Sequence, residues 1–91
     1  MSRKIILAAD EIMDPNYGYA VEKMVFLNTD KTACLTMGKT LIDGEVMLYI
    51  YAQIWNGSKW YIDKMLLCRN ANEIIHGLKS WLSVHGERRA R

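Results

Sequence analysis

The segment ACLTMGKT, Ala33 to Thr40, has the relaxed spacing of a phosphate loop: a small residue, four of any kind, then Gly-Lys-Thr. In a working loop of that type, backbone N–H groups and a helix N-terminus cradle the phosphates, the Lys reaches the terminal ones and the Thr hydroxyl meets the metal ion. That chemistry needs a strand before the loop and a helix directly after it. Here Thr40 runs into LIDGEV, a turn and another strand. No nucleotide cofactor is expected. Gly38 reads instead as a strand glycine covered by a facing aromatic, Tyr49.

Cys34, Cys68, His76 and His85 are the other reactive side chains. No two of them sit at the close spacing of a structural zinc site, and no metal is expected. A thiol–imidazole pair would need Cys68 against His76 or His85 with an orienting acid, and no cleft-forming insertion surrounds either His. Asp10, Glu11 and Asp14 cluster before a Pro-Asn turn but lack the spacing of a calcium loop. The chain therefore reads as a non-enzyme with no cofactor.

The bulk properties agree with a small globular domain. The chain has 91 residues, 51% of them hydrophobic and 24% charged, enough for one modest core. No apolar run approaches the roughly 18 residues of a membrane span, and IILAA is too short for a signal-peptide core. No membrane association is expected, and a cytoplasmic location with reduced thiols follows as the expectation. The net charge is +2, and the final ERRAR contributes three Arg less one Glu, the whole of it. A neutral body gives no electrostatic footprint for duplex DNA.

Turn signals at DPNYG, NTDK, DG and NGS separate segments rich in β-branched and aromatic residues. They predict strands over about 19–28, 31–41, 45–55 and 58–68. Beyond them the period changes: Ile74, Leu78, Trp81, Leu82 and His85 form a helical stripe, with Asn70 and Glu73 spaced as a capping box. This predicts a helix over 71–85. The expected fold is α+β: a four-stranded antiparallel meander sheet followed by a C-terminal amphipathic helix packed on one face. Residues 1–18 read as an N-terminal arm or an extra strand, 19–86 as the domain, and 87–91 as a basic tail.

Register assigns the faces. Asp43-Gly44 is a two-residue type I′ signal, which pairs Leu41 with Val46, Met37 with Ile50 and Leu35 with Ala52 in an apolar row. The opposite row pairs Gly38 with Tyr49, Thr36 with Tyr51 and Cys34 with Gln53. For the next hairpin, a bulged turn at Gly57 places Trp60 opposite Ala52, Ile62 opposite Ile50, Tyr61 opposite Tyr51 and Asp63 opposite Tyr49. Leu48, Ile50, Ala52 and Ile54 then face the helix, and Tyr49, Tyr51 and Gln53 face away. Lys39 and Lys64 are left on the apolar side, beside Leu48. That mismatch calls either for stems reaching past the helix to water or for a bulge.

The face away from the helix carries the functional expectation. Tyr49, Tyr51, Tyr61 and Trp55, interleaved with Gln53 and Lys59, have the make-up of a stacking platform for single-stranded nucleic acid. Lys59, Lys23, Arg88, Arg89 and Arg91 would contact phosphates. Four antiparallel strands and a C-terminal helix are similar in topology to single-strand-binding modules such as the Whirly group, a likeness of fold and not of motif. The alternative is a protein-interaction module, a homodimeric adaptor or inhibitor, using the same face: three Tyr with Met47, Met65 and Leu67 are more apolar surface than a monomer usually leaves open.

Overall fold

The structure, a computed structural model, describes residues 2–86. Its elements are α1 (Ser2–Met13), β1 (Lys23–Phe26), β2 (Ala33–Ile42), β3 (Glu45–Trp55), β4 (Trp60–Cys68), α2 (Ala71–Gly77) and α3 (Lys79–His85). The strands form one antiparallel sheet in the order β1-β2-β3-β4, and the helices lie on one side of it, giving a two-layer α+β domain. Among the described residues no helix is long and apolar enough to cross a membrane.

The N-terminal segment is helical, which corrects the expectation of an extra strand or arm. Ile5, Ala8, Ala9 and Ile12 recur at i, i+3, i+4 and i+7 and are all buried. Ala is the best helix former, and two of these sites are too small to fill a strand's share of core. The stripe packs α1 onto the same sheet face as α2, against Val25, Leu35, Met37, Leu48 and Ile50. Each large aliphatic fully buried there contributes roughly 1.5–3 kcal/mol. The connection from α1 to β1 closes one end of this layer. Lys39, on the helix-facing side opposite Leu48, is buried, and its Nζ donates to the Asp14 carbonyl at 2.7 Å. That contact resolves half of the Lys mismatch.

The β2–β3 hairpin has the expected register at every predicted pair. Asp43 and Gly44 both have positive φ, 50° and 80°, as a type I′ turn requires. The β3–β4 register differs from expectation. Asn56 Oδ1 accepts from the Ser58 and Lys59 N–H groups, making a four-residue turn, so Trp55 pairs with Trp60 and Ile54 with Tyr61. A bulge then interrupts the ladder between Gln53↔Ile62 and Ala52↔Lys64. It restores parity, so Leu66 faces inward opposite Ile50 and Cys68 opposite Leu48. Lys64, opposite Ala52 and not Leu48, is the other half of the mismatch.

The extra residue in the bulge is Asp63, and its carboxylate accepts from Trp81 Nε1 at 2.6 Å. Trp81 is buried in the core on α3, so its indole N–H needs such a partner. The C-terminal helix starts as predicted: Asn70 accepts from the Glu73 N–H, and the Glu73 carboxylate reaches back to the Arg69 N–H. It is divided where one helix was expected. Leu78 leaves helical geometry at φ −112° and ψ 16°, while the Leu78→Ile74 and Leu82→Leu78 bonds run across the break. Gly77 sits so close to β4 that a Cβ there would meet Leu66 Cδ1 at 2.9 Å, and the kink falls at this contact.

Asp63→Ala should therefore leave a buried indole donor unpaired and lower the unfolding free energy by about 1–3 kcal/mol. Denaturant melts monitored by Trp fluorescence measure this. Asp63→Asn, which keeps an acceptor, should recover most of the loss.

Candidate interaction face

Because α1, α2 and α3 share one side, no element among the described residues lies over the other side of the sheet. Alternation along the strands places there Met24 and Phe26 of β1, Cys34, Thr36, Gly38 and Thr40 of β2, Met47, Tyr49, Tyr51, Gln53 and Trp55 of β3, and Trp60, Ile62, Met65 and Leu67 of β4. These side chains are uncharged, and the same alternation ends the face on Ile42 and Glu45, whose carboxylate pairs with Arg69 at 2.8 Å. Met65 is 66% exposed, Met24 and Ile62 49% each, and Leu67 47%. Residues 2–18 do not fold back over this face, since α1 packs on the other side.

The middle of the face is built from a glycine. Tyr49 lies across Gly38, where a Cβ would collide with its Oη and Cζ. Crossing β2 in this way brings the phenol to Glu22, just before β1, and the Oη–H donates to Oε2 at 2.7 Å. Burial of the phenol first, and then the bond to Glu22, push the Tyr49 pKa up to about 12. Tyr51 follows on the same strand, with ring centroids 5.4 Å apart. In the next row Gln53 Oε1 accepts from the Thr36 hydroxyl and the Cys34 thiol.

A second aromatic group sits at the hairpin end. Trp60 contacts Trp55 at 5.7 Å between centroids and Phe26 at 6.2 Å. Phe26 is on β1 and Trp60 on β4, so their rings lean together across two strands, in the row that holds Cys34. Cys34 is fully buried although it points away from the helices. Burial pushes the thiols of both Cys34 and Cys68 up from their ordinary value. A nucleophilic thiol requires the reverse shift. His76 is exposed and His85 packs on the Trp81 ring at 4.6 Å. Among the described residues no three His, Cys, Asp or Glu are grouped to hold a metal ion, and Ala33–Thr40 lies wholly within β2 with no helix following it.

The sequence-predicted site residues divide into three groups. Tyr49, Tyr51, Gln53 and Trp55 are on the uncovered face as expected, and Lys59 is exposed in the turn beside it. Tyr61 is not opposite Tyr51: the longer turn pairs it with Ile54 on the helix side, near the tip. Asp63 is likewise on the helix side and not opposite Tyr49. Lys23 also faces the helices, and its ammonium pairs with Glu11 at 3.1 Å, away from the platform. Arg88, Arg89 and Arg91 lie outside the described residues. Phe26, Trp60 and Ile62 belong to the face and were missed. An Asn56 side chain able to cap a four-residue turn was the local signal for the Trp60 and Ile62 placement.

Compared with known protein families, characterised proteins and solved structures, the chain matches none.

The Tyr49 arrangement can be titrated. The fold favours the neutral phenol, so its contribution to stability is intact below pH about 10, the ordinary value, and is lost as pH rises from there through about 12. Absorbance near the tyrosinate band should show one late-ionising Tyr, absent in Tyr49→Phe and earlier in Glu22→Gln. Gly38→Val should displace the ring and move the late step toward the ordinary value, at a stability cost of about 1–3 kcal/mol.

Proposed function

We propose that this protein is a non-enzymatic interaction module whose uncovered sheet face pairs with an apolar protein surface, in the first instance that of a second copy of the chain. One observation carries the reading: a contiguous apolar stretch of the sheet, from Met24 on β1 to Met65 and Leu67 on β4, at whose margin the charged Glu45 is paired with Arg69, while the described helices pack on the other side. Such a patch exceeds what a monomer ordinarily leaves in water. Its neutrality also favours self-pairing, because a two-fold interface sets each residue against the same surface and like charges there would repel. Two such sheets would stack at about 10 Å, the spacing of a β-sandwich.

Single-stranded nucleic acid is the second reading. The Tyr49–Tyr51 and Trp55–Trp60 pairs favour it, since stacked bases contribute roughly 1–3 kcal/mol each on such rings. It ranks second because Lys23 faces the helices and pairs with Glu11, and the cations at the margin of the platform are few: Arg69 is paired with Glu45, and Lys31 lies over Phe26 at the β1 edge.

Sedimentation equilibrium separates the readings. The self-pairing module should sediment at twice the 10.5 kDa chain mass. Met65→Glu should weaken this about 10- to 100-fold through lost burial of roughly 1.5–3 kcal/mol. Association should be nearly insensitive to salt. A chain that remains at single mass at every concentration refutes self-pairing. Tight binding of a fluorescent single-stranded oligonucleotide that falls with salt and is lost in Tyr51→Ala replaces it with the second reading.

A further inference from the structure

β1 is an edge strand only four residues long, and among the described residues no other strand covers its outer border. The Leu27 N–H donates to the Ala33 carbonyl at 2.9 Å, in register with Val25↔Leu35 and Lys23↔Met37. Antiparallel ladders alternate, so residues 23, 25 and 27 bond β2, while Met24 and Phe26 turn their N–H and C=O groups outward. The Phe26 carbonyl agrees with this: it accepts from Lys4 Nζ on α1 at 3.2 Å. Outward-facing groups on an edge strand are a template for one more strand.

Those groups open into a groove of about 530 Å³ between α1 and β1. Leu7 and Ala8 form its helical wall, with Leu7 57% exposed, and Met24, Val25 and Phe26 form the strand wall. Its charge is lopsided. Lys4, Lys23 and Lys31 line it with one carboxylate, Glu11, and that carboxylate is taken by Lys23. Lys4 and Lys31 meet no carboxylate among the described residues. Both ammonium groups gather at the same end: Lys4 on the Phe26 carbonyl, Lys31 over the Phe26 ring at 5.4 Å.

We infer that this groove takes an extended acidic peptide segment, which adds to β1 as a fifth strand and places a carboxylate at Lys4 and Lys31. Strand addition beside a helix supplies affinity through main-chain hydrogen bonds and specificity through the flanking side chains. Met24 N–H, Met24 C=O and Phe26 N–H provide the main-chain partners. Leu7 and Ala8 receive an apolar side chain, and the two free lysines select against a basic segment. The Lys23–Glu11 pair closes the opposite end as a neutral wall. The edge shares Met24 and Phe26 with the sheet face, but Lys4, Leu7 and Lys31 line only the groove and Met65 lies on β4 at the far side of the sheet, so substitutions at those positions disable the two surfaces separately.

The test is a titration of the ¹⁵N-labelled full chain with a short capped peptide of alternating Glu and Val, with its Lys–Val counterpart and with a version N-methylated at alternate amides. The Met24 and Phe26 amide signals should shift and gain protection from exchange with the Glu–Val peptide alone. Lys4→Glu combined with Lys31→Glu, two exposed positions, should weaken binding about tenfold or more, and moderate salt should weaken it in the wild type. Met65→Glu, on the sheet face, should leave binding unchanged. Unmoved Met24 and Phe26 amides, equal binding of the Lys–Val or methylated peptide, or loss of binding in Met65→Glu overturns the inference. The peptide comparisons on wild-type protein stand even if the charge-reversed variant fails to fold.

Discussion

Parity along β3 is the constraint on which the rest of the molecule depends. Leu48, Ile50 and Ala52 have no exposed surface and sit under the helices, while Tyr49, Tyr51 and Gln53 alternate with them on the other side. A slip of one residue would exchange the two sets, putting tyrosines and an amide into the core and leaving the aliphatics in water. The type I′ turn at Asp43-Gly44 prevents that slip on one side. On the other side the chain reaches the same outcome by a longer route: a four-residue turn sets Trp60 and Ile62 outward, and the bulge at Asp63 then shifts the ladder so that Leu66 and Cys68 point inward.

The bulge links strand geometry to helix packing. It turns Asp63 toward α3, and the acceptor it provides is what lets a large indole sit inside a small core. The kink at Gly77-Leu78 belongs to the same accommodation, because Gly77 is pressed against Leu66 on β4. A straight helix over 71–85 would carry the Ile74–Leu78–Trp81 stripe past this contact without room for it.

With the three described helices on one side, the sheet presents two surfaces of different chemistry. The broad face is mostly apolar, with Tyr49 crossing Gly38 in the middle, Phe26, Trp55 and Trp60 at the hairpin end and a Glu45–Arg69 pair at the opposite margin. The β1 edge is narrow, cationic at one end and rich in outward backbone groups. On the proposed readings, apolar burial would drive association at the first, and directional hydrogen bonds with charge selection at the second. Neither surface borrows a reactive group: both thiols are buried and shifted away from ionisation.

Much of this was legible in the sequence because it is local. Asp43-Gly44 dictates a turn through its own backbone preferences, and period-two alternation then assigns Tyr49, Tyr51, Leu48 and Ile50 to their faces. Asn70 and Glu73 start a helix by satisfying its first N–H groups, and Gly38 opposite Tyr49 announces an aromatic crossing. The helix at Ser2–Met13 was also written there, as Ile5-Ala8-Ala9-Ile12, but the adjacent Ile-Ile-Leu run reads equally as a strand over so few residues. Tertiary structure alone decided the remainder: which side of the sheet α1 covers, the Lys39 ammonium on the Asp14 carbonyl, the burial of Cys34 on the side away from the helices, and the bulge that hands Asp63 to Trp81. Each joins groups from different elements, so its free energy exists only once those elements meet, and no window of neighbouring residues contains it.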